Sequence, residues 1–269
     1  MSLRINTNVE AFNAHRQLSA TSDRLGKAME RLSSGYRINR AADDAAGLAI
    51  TEKLRGQIGG LEQAQRNAQD AISLVQTAEG NLQEVHSMLQ RVRELAVQYK
   101  NGSLSTTDKA AIQSEVNMLG SEVERIGSSA QFNGILLLSS AANITFQVGA
   151  QDGEIITVTT ISLGSVVNAG VISLNAANTV DVSEIDAAID SVSAQRAQFG
   201  AVQNRLEHTL SNLAVYNENL MASESRIRDV DMAAEMVNFT KLQILQQSGT
   251  AMLAQANQTP QSVLQLLKG

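Results

Sequence analysis

The chain has 269 residues, enough for one large domain or two modest ones, with 21 basic and 27 acidic residues and a net charge of −6. It contains no cysteine, no tryptophan, one proline and only 3% aromatic residues. Disulfides, thiolate metal sites and cysteine nucleophiles are thereby excluded, a basic footprint for nucleic acid is missing, and the shortage of aromatics argues against the core of a compact globular enzyme. The 43% apolar residues are mostly Ala, Leu, Ile and Val, and with Pro260 the single proline almost nothing forbids long uninterrupted helices. This composition predicts an elongated, mainly α molecule.

The opening residues, MSLRINTNVE, carry Arg4 and Glu10 without an apolar run, so no conventional signal peptide is expected. Ala11, Leu18, Leu25 and Leu32 then recur every seven residues, joined by Val9, Phe12, Ala28 and Met29, which predicts a terminal helix. Ser33-Ser34-Gly35 reads as a turn or cap, with no phosphate-loop pattern around it. Asp43 and Asp44 sit side by side below Arg37 and Arg40. Adjacent helical residues diverge by about 100°, so capping or local ion pairing is expected there rather than a metal or acid pair.

A long seam follows through Leu54, Ile58, Leu61, Ala68, Ile72, Val75, Ala78, Leu82, Val85, Leu89, Val92 and Ala96. Gly56, Gly59 and Gly60 inside it either permit close backbone approach or are weak points that a long helix tolerates. Lys100-Asn101-Gly102-Ser103 ends the helix, and Ser105 with Asp108 can cap a shorter one to about Gly127, with Ile112, Val116, Leu119, Val123 and Ile126 on one face. The period then changes to two. Ile144, Phe146 and Val148 alternate with polar residues, Gly149–Gly153 reads as a turn, and Ile156, Val158 and Thr160 alternate again. A small β region is expected between about 140 and 178, too small to fold alone.

The strongest signal is the heptad Ile185, Val192, Phe199, Leu206, Leu213, Leu220 and Ile227, with a half-polar companion edge of Ile189, Arg196, Gln203, Leu210, Asn217 and Glu224. Ser183 and Asp186 offer a cap, so a helix from 183 to about 229 would run ~70 Å. The three long helices predict an antiparallel bundle with a small β-hairpin region. Val230, Ala234, Val237, Lys241 and Ile244 continue the helical spacing. Leu242–Leu267 is a 26-residue stretch without charge, but its seven Gln make it amphipathic rather than a membrane span. The two terminal helices have no free partner in the bundle, so they are expected to pair with each other and with other copies, through Leu18, Leu25, Leu32, Val230, Val237 and Ile244. His15, His86 and His208 stand alone in helical patterns, outside any metal-binding spacing. No nucleophile–base pair is legible, so no catalysis and no cofactor are expected.

The segment Arg31 to Ile50, RLSSGYRINRAADDAAGLAI, resembles the N-terminal signature of bacterial flagellins. So do Arg66–Asp70, Ala78-Glu79-Gly80 and Leu89–Gln98. Near the other end, Phe199–Leu206, Ser225–Asp231 and Met252–Asn257 match the same family, and the resemblance covers about 1–138 and 184–269. It implies an inner coiled-coil domain of residues 1 to about 40 with 230–269, and an outer domain of 41–229, as a short form without large outer insertions. It implies a secreted, extracellular subunit of the flagellum that self-assembles into the swimming filament. Implied partners are further copies, the flagellar export machinery and an export chaperone, and the hook-associated and cap proteins, with neither nucleic acid nor a membrane span. A hook–filament junction protein is the alternative within the superfamily, and a cytoplasmic coiled-coil adaptor the alternative outside it. The resemblance further implies a patch for a host flagellin-sensing Toll-like receptor or a neighbouring subunit: Leu89, Gln90, Arg91, Glu94, Leu95 and Gln98, with Glu115 on the next helix. Leu119 stands where the receptor-active pattern carries Arg.

Overall fold

A computed structural model describes residues 8–167 and 182–268, with side chains to 259. Its elements in chain order are α1 (Val9–Ser34), α2 (Ala45–Tyr99), α3 (Thr106–Ser129), β1 (Gln131–Phe132), β2 (Ile135–Leu136), β3 (Asn143–Gln147), β4 (Ile155–Thr159), α4 (Leu163–Val166), α5 (Val182–Arg228) and α6 (Met232–Lys268). The chain divides into a terminal unit, Met1–Gly56 with Asn219–Gly269, and a central unit, Gln57–Glu218. The expected boundaries near 40 and 230 lie at turns between helices, whereas these units divide inside α2 and α5.

The central unit is the expected helical bundle. Leu82, Val85 and Leu89 of α2, Val116 and Val123 of α3, and Ile185, Val192 and Phe199 of α5 belong to one buried cluster. The α5 heptad is buried from Ile185 through Leu213. The α3 cap forms as read: Ser105 Oγ accepts from the Asp108 amide, and the Asp108 carboxylate accepts from the Ser105 amide. The hydroxyl and amide of Ser105 hold the Asp108 carboxyl below its ordinary range.

The hairpin is also as read. β3 and β4 pair antiparallel with Ile144 opposite Val158, and Ile156, Val158 and Thr160 turn inward. Gln195 reaches it from α5, donating to the Thr159 carbonyl at 2.7 Å. Among Gly56, Gly59 and Gly60, it is Gly60 that answers to close approach: a Cβ there would meet the Ala150 Cβ at 3.1 Å, while Gly56 and Gly59 face open space. The rest of the β region predicted to 178 falls largely outside the described residues.

Two details depart from the sequence reading. α5 begins at Val182, one residue before the expected Ser183 cap, and the Asp186 carboxylate accepts from Arg93 Nε at 2.6 Å. An interhelical charge pair thus takes the carboxylate assigned to the cap. A second ribbon, β1–β2, is not among the expected elements, although its turn residues Asn133 (φ 48°) and Gly134 (φ 79°) have the positive φ values that favour Asn-Gly in tight hairpins.

Candidate assembly interface

The terminal unit is built on α1 and α6, which run antiparallel in close contact. Asn8 caps α1: its Oδ1 accepts from the Ala11 amide, and its Nδ2 donates to the Ala256 carbonyl at 2.7 Å. A Cβ on Gly249 would stand 3.2 Å from Leu18 Cδ1, so the missing side chain lets that leucine in. Leu25, Ala28 and Leu242 form the buried centre, with Phe239 partly covered. Leu25 of the predicted seam is therefore buried, and Leu18, Leu32 and Val230 are partly so.

The other face of α6 lies open. Val237 is 72% exposed and Ile244 58%, and with Met236 and Leu245 they line a shallow apolar groove. Two apolar stripes on one helix explain this outcome. Phe239 and Leu242 face α1, while the stripe singled out in the sequence faces away. Phe12 of α1, 72% exposed, adds to the uncovered apolar surface.

The two motifs that carried the resemblance at opposite ends of the chain meet beside this pair. Gly35 ends α1 in the left-handed region, and its carbonyl accepts from the Val230 amide. Arg37 donates from its amide to the Arg228 carbonyl and from its guanidinium to the Ile227 carbonyl, both at 2.6 Å. The Arg228 guanidinium lies 4.6 Å from the centre of the Tyr36 ring and pairs with Glu52 at 3.1 Å. Arg55 lies 3.4 Å from Glu224. The turn joining α1 to α2 is thus tied to the turn joining α5 to α6. No local sequence pattern announced this brace; the only clue was that both segments stood out as motifs.

The acidic pair upstream of α2 is structural, as expected. Asp44 caps α2 by accepting from the Gly47 amide at 2.9 Å. The Asp43 carboxylate accepts from the amides of Arg40 and Asn39, and the Arg40 bond above all holds its carboxyl below the ordinary range. Backbone amides satisfy it rather than the guanidinium of Arg40, which pairs with Glu30 at 2.9 Å. Among the described residues no group of histidines and carboxylates could hold a metal ion, and no helix is long and apolar enough to cross a membrane.

Of the seven residues in the patch that the resemblance implies, two lie in the core. Leu89 and Leu95 are 1% and 2% exposed and belong to the central core. Helical periodicity turns them inward while Gln90, Arg91, Glu94 and Gln98 stay on the surface. Arg91 donates to Glu115 of α3 from Nε and Nη2, at 3.0 and 2.9 Å, and to Glu94 from Nη1 at 3.2 Å. The Glu115 carboxylate, chiefly, and then Glu94 raise the guanidinium's proton affinity above its usual value.

Comparison with known proteins places this geometry. Residues 5–143 match the model of the bacterial flagellin N-terminal helical region, and residues 182–267 match that of the C-terminal helical region. The chain is 53% identical to a flagellin of Halalkalibacterium halodurans, covering 98% of this chain and 99% of that protein. It is 48% identical to the flagellar filament 33 kDa core protein of Treponema phagedenis, covering 98% and 99%. The crystal structure of Bacillus cereus flagellin superposes with a TM-score of 0.52 at 32% identity, over 55% of this chain and 88% of that one. The chain belongs to the bacterial flagellin family, as a short form that is a structural component of the flagellar filament and not an enzyme.

Proposed function

We propose that the chain is exported and polymerises outside the cell into the filament that swimming bacteria rotate. The observation that carries this reading is the pair of apolar stripes on α6, one packed on α1 and the other, around Val237 and Ile244, left exposed among the described residues. An apolar face left open, repeated on identical subunits through a contact that does not close, generates a helical polymer. In this reading residues 1 to about 40 and 230–269 form the inner domain around the filament channel, and 41–229 form the outer domain. Leu18, Leu25, Leu32 and Val230 hold the terminal pair, and Val237 and Ile244 receive neighbouring copies. The export machinery, an export chaperone, and the hook-associated and cap proteins are its partners on the way.

The test is seeded polymerisation of the purified chain, followed by electron microscopy. Long filaments are expected from the natural sequence. Chains that remain monomeric at high concentration with filament seeds would overturn the reading.

A second partner is supported by the exposed cluster of Arg91, Glu94 and Glu115, flanked by Gln90 and Gln98. This surface binds a host flagellin-sensing Toll-like receptor in the monomer and other subunits in the filament. An arginine fork within such a patch is a strong anchor for partner carboxylates and carbonyls. Arg91→Ala monomer is expected to bind the receptor ectodomain at least ~10-fold more weakly. Equal binding by Arg91→Ala, or none by the natural chain, would remove the receptor from the list of partners.

A further inference from the structure

The chain contains two Asn-Gly pairs, Asn101-Gly102 and Asn133-Gly134, and all four residues are exposed. The glycine amide that follows each asparagine has no side chain to shield it, which leaves its nitrogen free to approach the preceding side-chain amide. The two pairs differ in how the backbone is held.

Asn133 and Gly134 are the central residues of the β1–β2 turn, both at positive φ, with Phe132 paired to Ile135 and Gln131 to Leu136 on either side. The Leu137 amide donates to the Ala130 carbonyl at 2.9 Å just beyond. Closing a five-membered ring from Gly134 N to Asn133 Cγ requires rotation about the Asn133 Cα–C bond. A two-residue turn of this kind fixes that bond by its strand register, so ring closure there first requires the ribbon to open.

No strand ladder holds Asn101. Its amide donates to the Gln98 carbonyl at 3.0 Å, at the end of α2, and the chain continues into an irregular turn of Gly102 and Ser103 with no ladder. The Ser103 amide donates to Asn101 Oδ1 at 3.2 Å. That oxygen is the one that gains negative charge when a nucleophile adds to Cγ, and a backbone N–H aimed at such an oxygen stabilises the charge as it develops. Nucleophile, electrophile and oxyanion donor therefore lie within three consecutive residues at an exposed site.

We propose that Asn101 is a site of spontaneous, fold-directed deamidation, and that the β1–β2 turn protects Asn133 from the same reaction. The Gly102 nitrogen, having lost its proton to solvent base, bonds to Asn101 Cγ. The Cγ–Nδ2 bond breaks as Nδ2 takes a proton back from solvent, and ammonia leaves, giving a succinimide. Water then opens one of the two ring C–N bonds. Opening at the side-chain carbonyl gives aspartate, and opening at the main-chain carbonyl gives isoaspartate with the chain routed through the former side chain. The net change is uptake of one water and loss of one ammonia. The product places a carboxylate at the negative end of the α2 dipole, where it is unfavourable, and the isoaspartyl form lengthens the turn between α2 and α3.

The experiment ages the full chain at neutral to mildly alkaline pH and 37 °C, in water enriched in oxygen-18, with peptide mapping by mass spectrometry. Cleavage after Lys100 and Lys109 isolates the Asn101 site. Conversion at Asn101 is expected to be at least about tenfold faster than at Asn133 in the folded chain, and the two rates should converge in concentrated urea. Gly102→Ala should slow the Asn101 reaction by about tenfold while leaving Asn133 unchanged. Equal rates in the folded chain overturn the proposal. So does a ratio that persists unchanged in urea, because flanking sequence rather than fold would then set the preference.

Discussion

The central and terminal units use the same residue types to reach opposite conditions. In the central unit three long helices close around Leu82, Leu89, Val116, Val192 and Phe199, each at most 2% exposed. In the terminal unit two helices meet along one line, bury Leu25, Ala28 and Leu242, and leave Phe12, Val237, Ile244 and Met252 more than half exposed. Two cylinders share one seam, whereas a third helix encloses a volume. An isolated helix pair removes too little apolar surface from water to offset its ordering entropy. The central unit therefore contains a core of its own, and the terminal pair leaves an apolar face that further copies would cover in the proposed filament.

The sharpest way to break this contrast is at Phe199. Phe199→Ala is expected to destabilise the central unit by about 3–5 kcal/mol, as for other fully buried phenylalanines, measured by urea unfolding of the monomer. A cost below about 1 kcal/mol would mean that the core is not where the contrast places it. The complementary change is Val237→Asp with Ile244→Asp. Both side chains are more than half exposed, so monomer unfolding should be unchanged while the critical concentration for assembly rises by at least ~10-fold, or about 1.4 kcal/mol per added subunit. Loss of monomer stability instead would place these residues in a contact within the chain.

Smaller effects sharpen the picture. Ser105→Ala removes the α3 cap and should cost about 1 kcal/mol, read as a lower urea midpoint for the central unit with the terminal pair unaffected. The partner carboxylate adds a pH signature. The Asp108 carboxyl is held below its unfolded range, so its contribution is present at neutral pH and is lost as the pH falls through the folded value. The penalty of Ser105→Ala should accordingly shrink in acid. A penalty constant from neutral pH to pH 2 would show that the capping box is not formed in solution.

What was legible in the sequence was whatever repeats. Seven-residue spacing located the α5 seam from Ile185 to Leu213, and two-residue alternation located β3 and β4, because one buried face imposes its period on many residues. Facing was less legible where a helix carries two apolar stripes. On α6 periodicity cannot choose between Leu242 and Ile244, and the seam read along the chain took the outer one. Short elements escaped for a different reason: β1 and β2 have two residues each, too few to show any period. The brace between Tyr36 and Arg228 was invisible because it joins residues far apart in sequence through backbone carbonyls and a ring face, which leave no compositional trace. Leu95 entered the patch through a family motif, which marks positions in a string and not their side of a helix, and Leu89 entered it the same way although the α2 seam already placed it inward.

That brace also acts as the pinned end of a zipper. Gly35 and Val230 are hydrogen-bonded partners at the fork, and from there α1 and α6 close outward through Leu25 with Leu242, Leu18 with Gly249, and Asn8 with Ala256. With one end pinned, each successive contact closes only a short loop instead of bringing together two distant chain ends. The fork therefore decides which residues of the two helices come opposite each other. One residue inserted between Arg228 and Met232 would turn the whole of α6 by about 100°. Leu242 would swing away from α1 and the outer stripe would be redirected, so a single-residue error at the fork would reach a contact with Asn8 some forty ångströms along the helix.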